Sequence, residues 1–118
     1  MALVRCLTEM GMGVDVHGRD YTRAARRAVS DAIRHSSIGF FRLIDRSIDE
    51  MFVEVNIGIP DPDAVDKEAV AAELPYGTVT VKTTAGGLEI PDESGKDAMV
   101  IANAAVLVLF DDRKDQKG

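Results

Sequence analysis

Ala98 to Phe110 is an almost unbroken apolar run, and Asn103 is its one strongly polar residue. The run is too short to cross a membrane as a helix. It is also too continuous for a strand with one wet face, and reads as a central strand covered on both faces. The rest of the chain must supply that cover. Phe52 to Ile59 is the cleanest second strand, with Val53, Val55, Ile57 and Ile59 alternating with Glu54, Asn56 and Gly58. Thr78 to Thr84 is a further strand with Val79 and Val81 inward, and Leu88 to Ile90 extend it beyond the turn at Gly86-Gly87. Ala2 to Met10 reads as the first strand.

Helices fill the gaps between strands. A helix capped by Asp20 or Thr22 runs to about His35. Its stripe of Ala25, Ala28, Val29, Ala32 and Ile33 recurs at helical spacing. Small alanines at that spacing let a helix lie close on a sheet. Arg27 and Asp31 on its outer face are spaced to pair. A second helix starts at Pro60-Asp61-Pro62-Asp63, carries Val65, Ala69, Ala72 and Leu74, and ends before Pro75. Between them, residues 36–51 read as a loop with a short helix, rich in apolar side chains for a loop. The order is β-α-β-α-β-β. It specifies an α+β fold, one mixed sheet with two helices on one face. Residues 1–110 form a single domain, and 111–118 are a polar, frayed tail. Too few residues remain to cover the second sheet face, so a partner copy is its simplest cover.

Composition narrows the function classes. Apolar residues are 46% of 118, aromatics only 5%, and Trp is absent, so the core is aliphatic. A net charge of −6 argues against a nucleic-acid surface. A single cysteine, Cys6, and no signal-peptide pattern point to a reducing, cytoplasmic setting.

The segment that packing alone does not explain is Gly11-Met12-Gly13-Val14-Asp15-Val16-His17-Gly18. Gly11, Gly13 and Gly18 allow a bulge, a positive φ or close approach of backbone to a ligand. The glycine spacing does not match a dinucleotide-binding fingerprint. If the chain stays extended, Asp15 and His17 share a face. They then offer either two ligands to a divalent metal such as zinc or an acid–base group, His17, oriented by an aspartate. Arg19 and Arg23, with Asp20 at the first turn of the helix, form a local positive cluster suited to an anion. The alternative is structural: Asp15 caps a turn and His17 packs locally. No Ser-His-Asp or Cys-His order stands out. Asn103 either bonds backbone or points into a site, and Tyr76 with Gly86-Gly87 could border a pocket.

The GxGxDxHG run, the following Asp20-Tyr-Thr-Arg-Ala-Ala25, and the later Pro75-Tyr-Gly77, Gly86-Gly87 and Asn103-Ala-Ala105 together resemble the "Lin" family of conserved hypothetical proteins. The resemblance covers nearly the whole chain and implies no assigned reaction. The order of elements is similar to that of the trimeric, Bacillus-type chorismate mutase, including a Gly-Gly-Leu turn like Gly86-Gly87-Leu88. That likeness implies a trimer with clefts between subunits. Of that enzyme's Arg and Glu set only Arg5 has a plausible match, so the activity does not carry over. The Gly-x-Asp-x-His run also looks like the zinc-binding start of methylerythritol cyclodiphosphate synthase, without a counterpart of its remaining zinc histidine. The combined expectation is a homo-oligomer, trimer favoured, with a small anionic or cyclic metabolite held between subunits. Its chemistry is acid–base or hydrolytic if it is an enzyme. The alternative is a non-catalytic metabolite-binding or regulatory oligomer.

Overall fold

The structure is a computed structural model that describes residues 3–35, 50–74 and 77–111. Expectations for residues 36–49, for Tyr76 and for the tail beyond Asp111 lie outside the described residues, as do the side chains of Cys6, His35 and Asp111; Asp111 itself, read as the start of the frayed tail, ends a strand opposite Leu3. The elements are β1 (Leu3–Asp15), α1 (Tyr21–His35), β2 (Phe52–Ile59), a 3₁₀ turn (Pro62–Ala64), α2 (Lys67–Ala71), β3 (Thr78–Ala85), β4 (Leu88–Pro91) and β5 (Ala98–Asp111).

The fold is mixed α+β on one sheet of order β1-β5-β2-β3. The apolar run forms β5, the central strand. β1 pairs antiparallel along one side of it, from Leu3↔Asp111 to Asp15↔Val100. On its other side β5 pairs with β2, from Phe52↔Leu109 to Gly58↔Asn103, and then with β4, from Leu88↔Ile101 to Pro91↔Ala98. Thus Leu88–Pro91 does not extend β3, as its sequence suggests. It is a separate strand that continues the line of β2 along β5, and the order becomes β-α-β-α-β-β-β. β3 runs parallel to β2, from Phe52↔Thr78 to Ile59↔Ala85.

α1 packs on β1 and β5, and α2 packs on α1 and β3. The core lies between helices and sheet. Ala24, Ala25, Ala28, Val29 and Ala32 of α1 face Val53, Val55, Ile57 and Ile59 of β2 and Val100, Ala102, Ala104, Val106 and Val108 of β5, all essentially solvent-free. Burying one valine- or isoleucine-sized side chain contributes about 1.5–3 kcal/mol, so this aliphatic layer supplies most of the driving force.

Two local departures from the sequence reading have clear causes. Strict alternation along the first strand would put Arg5 and Glu9 on one face, but a register shift between Arg5 and Leu7 exchanges the faces of β1 and separates them. The second helix is also split. Pro62–Ala64 forms a single 3₁₀ turn, and Asp66 then caps a new helix by accepting from Glu68 N and Ala69 N. Among the described residues, no helix is long and apolar enough to cross a membrane.

Candidate functional site

The glycine motif divides into a packed half and an open half. β1 does not end at Met10 but runs through Gly11 and Gly13 to Asp15. α1 lies directly on it. A Cβ on Gly11 would stand 2.4 Å from both Ala28 O and Ala32 N, and one on Gly13 would stand 2.2 Å from Ala24 O. These two glycines admit a helix backbone, not a turn. The outer edge of β1 is guarded by α1 as well. Asp31 Oδ2 accepts from Met12 N at 2.9 Å, and Arg27 Nη1 donates to Val14 O at 2.6 Å.

Asp15 ends the strand and is buried. Its Oδ2 accepts from Asp20 N at 2.9 Å, and its Oδ1 lies 3.4 Å from Arg23 Nη1. Asp20 in turn caps α1, its Oδ1 accepting from Arg23 N at 2.9 Å. One buried carboxylate thus ties the end of β1 to the start of α1. Both Asp15 oxygens have protein partners, and Arg23 meets Asp15 and Asp20.

The open half begins where the chain bends at His17 and Gly18. Gly18 has φ +89°, and Arg19, at φ +48°, is the one non-glycine residue with positive φ among the described residues. Such a conformation costs of order 1 kcal/mol or more and persists only where contacts hold it. They are made to β4 and to the loop, residues 92–97, between β4 and β5. Asp97 Oδ1 accepts from Gly18 N and from Ala98 N, both at 2.8 Å. Asp97 Oδ2 lies 3.3 Å from His17 Nδ1. Arg19 donates to Lys96 O at 3.1 Å and Gly95 O at 3.4 Å, and its Nε is 3.5 Å from Glu89 Oε2. Glu89 also accepts from Tyr21 Oη at 2.5 Å.

These bonds set the charge states. The two backbone N–H groups, Gly18's first and then Ala98's, hold the Asp97 carboxyl below its ordinary range. An ionised carboxylate can only accept, so Nδ1 donates in their bond, and in the neutral ring Nε2 is then the acceptor. The Tyr21 phenol is pushed above its usual value, chiefly by its hydrogen bond to Glu89.

His17 itself is open, its side chain 88% exposed. It borders a cavity of about 320 Å³ lined by Val16, Ile90, Pro91, Asp92, Asp97, Ala98 and Met99. The lining is apolar apart from His17 and the two aspartates. Of the residues singled out from the sequence, only His17 lines this cavity. Gly11 and Gly13 lie under α1, Asp15 and Asp20 organise the turn, Gly18 holds Asp97, and Arg19 and Arg23 face carboxylates. Asp15 and His17 take different partners. Among the described residues, no group of three or more His, Cys, Asp and Glu is arranged to hold a metal ion.

Asp97 falls in the polar loop 91–97, which the sequence marks as a flap, but its pairing with His17, eighty residues away, was not legible there, and Ile90 and Met99 went unmarked. A polar stretch just ahead of the central strand was the one available signal.

An α+β chain with one mixed sheet and a His–Asp pair at its rim is a class of fold and site, not an activity. The chain belongs to the Lin0512 family of conserved hypothetical proteins, whose model matches residues 5–108. It is also similar to an FtsZ-like protein of unknown function from Nostoc punctiforme PCC 73102, solved by crystallography. The two are 39% identical, with a TM-score of 0.82 over 94% of this chain and 98% of that one. No curated protein matches.

Proposed function

We propose that this protein binds a small cyclic metabolite in the cavity beside His17, with His17 as the acid–base group. The observation that carries the reading is His17 Nδ1 held 3.3 Å from an aspartate that is itself fixed by two backbone N–H groups. Such a partner orients the ring, selects the tautomer with a basic Nε2, and stabilises the imidazolium once a proton is taken. The exposed Nε2 and the apolar floor suit proton transfer to or from a ring that the floor holds.

Of the two ligand classes the sequence suggests, the cyclic one fits better. The charges at the cavity are the carboxylates of Asp92 and Asp97, whereas Arg19 and Arg23 are engaged by Glu89, Asp15 and Asp20. Isomerisation and hydrolysis of a cyclic amide both fall within this chemistry. The site belongs to an oligomer in this reading, with three subunits as the resemblance to the trimeric chorismate mutase implies.

Non-catalytic binding is the second reading. It is favoured by the structural duty of most of the motif, which leaves one ionisable side chain of that motif, His17, facing the cavity.

Titration of ¹⁵N-labelled protein with hydantoin and dihydrouracil, and separately with inorganic phosphate, tests the proposal. Shifts at Val16, His17, Asp97 and Met99 with the cyclic amides, lost in His17→Ala and Asp97→Asn, support it. Shifts with phosphate alone, or none, remove it. Turnover of a shifted amide separates enzyme from binder. Elemental analysis of protein purified without chelator, repeated on His17→Ala, decides whether zinc or another divalent ion is bound and whether His17 is needed to hold it.

A further inference from the structure

The outer side of α1 carries a cleft apart from the His17 cavity. It measures about 260 Å³ and is lined by Arg23, Arg26, Arg27, Ser30 and Glu73, none of which borders that cavity. The four α1 residues stand at i, i+3, i+4 and i+7, so they share one helix face, opposite the buried alanines. Glu73 follows α2, which packs on α1, and supplies the facing wall.

The arginines are held in place without being used up. Arg26 Nε donates to Glu73 Oε1 at 2.8 Å, and Arg27 Nη1 donates to Val14 O at 2.6 Å. Arg23 is held by Asp15 and Asp20. A guanidinium offers five N–H donors in a fixed fork. Among the described residues, the two Nη groups of Arg26 and the Nε and Nη2 of Arg27 take no hydrogen-bond partner. The Arg26 side chain is half exposed, so its spare donors reach solvent. Anchoring one nitrogen of each fork removes rotamer entropy that a ligand would otherwise have to remove itself.

Charge points the same way. The chain has a net charge of −6, yet α1 carries four arginines against one aspartate. Arg23 stands in the first turn, with Arg26 and Arg27 in the next, and no acidic residue occupies that first turn. A helix dipole opposes cations at this end and favours an anion. Carboxylates face Arg23 and Arg26, but the contact of Arg27 is with a neutral carbonyl. Clamping α1 to its neighbours needs one N–H from each arginine. The remaining forks and the Ser30 hydroxyl converge on one cleft, with more donors than the two oxygens of a carboxylate would take up. A volume several times the ~30 Å³ share of one water has room for a tetrahedral oxyanion. We propose that this cleft binds a phosphoryl group, as free phosphate or as the ester of a small metabolite. Arg26 and Arg27 hold its oxygens by forked hydrogen bonds, Ser30 donates its hydroxyl, and Glu73 orients Arg26.

Titration of the full ¹⁵N-labelled chain with inorganic phosphate, at ionic strength fixed with chloride, tests this. Saturable shifts are expected at Arg26, Arg27 and Ser30, with Val16 and Met99 unmoved. Acetate should bind more weakly. Arg26→Gln and Arg27→Gln should each weaken phosphate about tenfold, as expected for one lost charge-assisted hydrogen bond. Arg27→Lys keeps the charge but not the fork, and should recover only part of that loss. Glu73→Gln keeps an acceptor for Arg26 Nε and removes the opposing charge, so it should tighten phosphate binding. Glycerol phosphate binding more tightly than phosphate assigns the cleft to a phosphorylated metabolite, and the reverse assigns it to the free ion. Shifts that never saturate, acetate equal to phosphate, or native phosphate binding in Arg26→Gln and Arg27→Gln would each overturn the proposal. So would a Glu73→Gln variant with a lowered melting temperature and unaltered phosphate binding, which would make the arginines a clamp alone. The cyclic-amide titration is read at the other cavity, so either site can fail without the other.

Discussion

Gly13 and Ala24 meet backbone to backbone, because a Cβ on Gly13 would sit 2.2 Å from the Ala24 carbonyl oxygen. No side chain can be admitted there without lifting α1 off the sheet. Gly13→Ala should therefore cost about 2–4 kcal/mol, by overpacking against a backbone that has no rotamer to yield. Gly18 offers the contrast. Nothing lies within 4 Å of its added Cβ, and only its positive φ resists substitution. Gly18→Ala should cost about 1 kcal/mol. Urea denaturation of both variants measures the difference, and equal losses would contradict the close-packed contact.

Asp15 is buried and bonded through both oxygens. In Asp15→Asn the carboxamide oxygen can still accept from Asp20 N, so about 1–2 kcal/mol should be lost. Asp15→Ala leaves that donor unsatisfied and Arg23 without its buried partner, and should cost about 3 kcal/mol or more. Thermal unfolding should rank native above Asn above Ala. A ranking with Ala above Asn would mean that the carboxylate does not organise this turn.

His17 behaves oppositely. Its side chain is exposed, so His17→Ala should change stability by less than about 0.5 kcal/mol. Unfolding curves superimposable on the native ones, together with lost amide binding, are expected. A large destabilisation would make His17 a structural residue of the bend.

Asp97 gives a pH dependence with a defined sign. Its folded carboxyl titrates below the ordinary value, so the unfolded chain binds the proton more readily. The stabilisation is complete above the unfolded value near 4 and fades as pH falls through the lower, folded one. Protection of the Gly18 amide from exchange should accordingly hold at pH 5 and drop on acidification below about 4. Asp97→Asn should remove that acid limb, and an unchanged limb would assign it to another carboxylate.

Asp31 accepts from Met12 N on the outer edge of β1. Asp31→Ala should expose that edge, speed exchange of the Met12 amide, and cost about 1–2 kcal/mol. Exchange at the native rate in the variant would show that the edge needs no guard.

Much of the scaffold was legible in the chain because its signals are local. Alternation in Phe52–Ile59, the small-residue stripe from Ala25 to Ala32, and the unbroken run from Ala98 depend on a residue's nearest neighbours along the strand or helix. They determined that these segments form β2, α1 and β5, which of their faces are apolar, and that β5 is central. Tertiary structure decided what those elements do to one another. Whether Gly11 and Gly13 make a turn or admit a helix depends on where α1 lands. The Leu88–Pro91 strand is defined only by its register on β5, and the faces of β1 by a bulge opposite Leu109. The pairing of His17 with Asp97 joins residues with no shared local period. Each carries local patterning that fits several outcomes, and the choice among them is made by distances that exist only after the sheet has closed around β5.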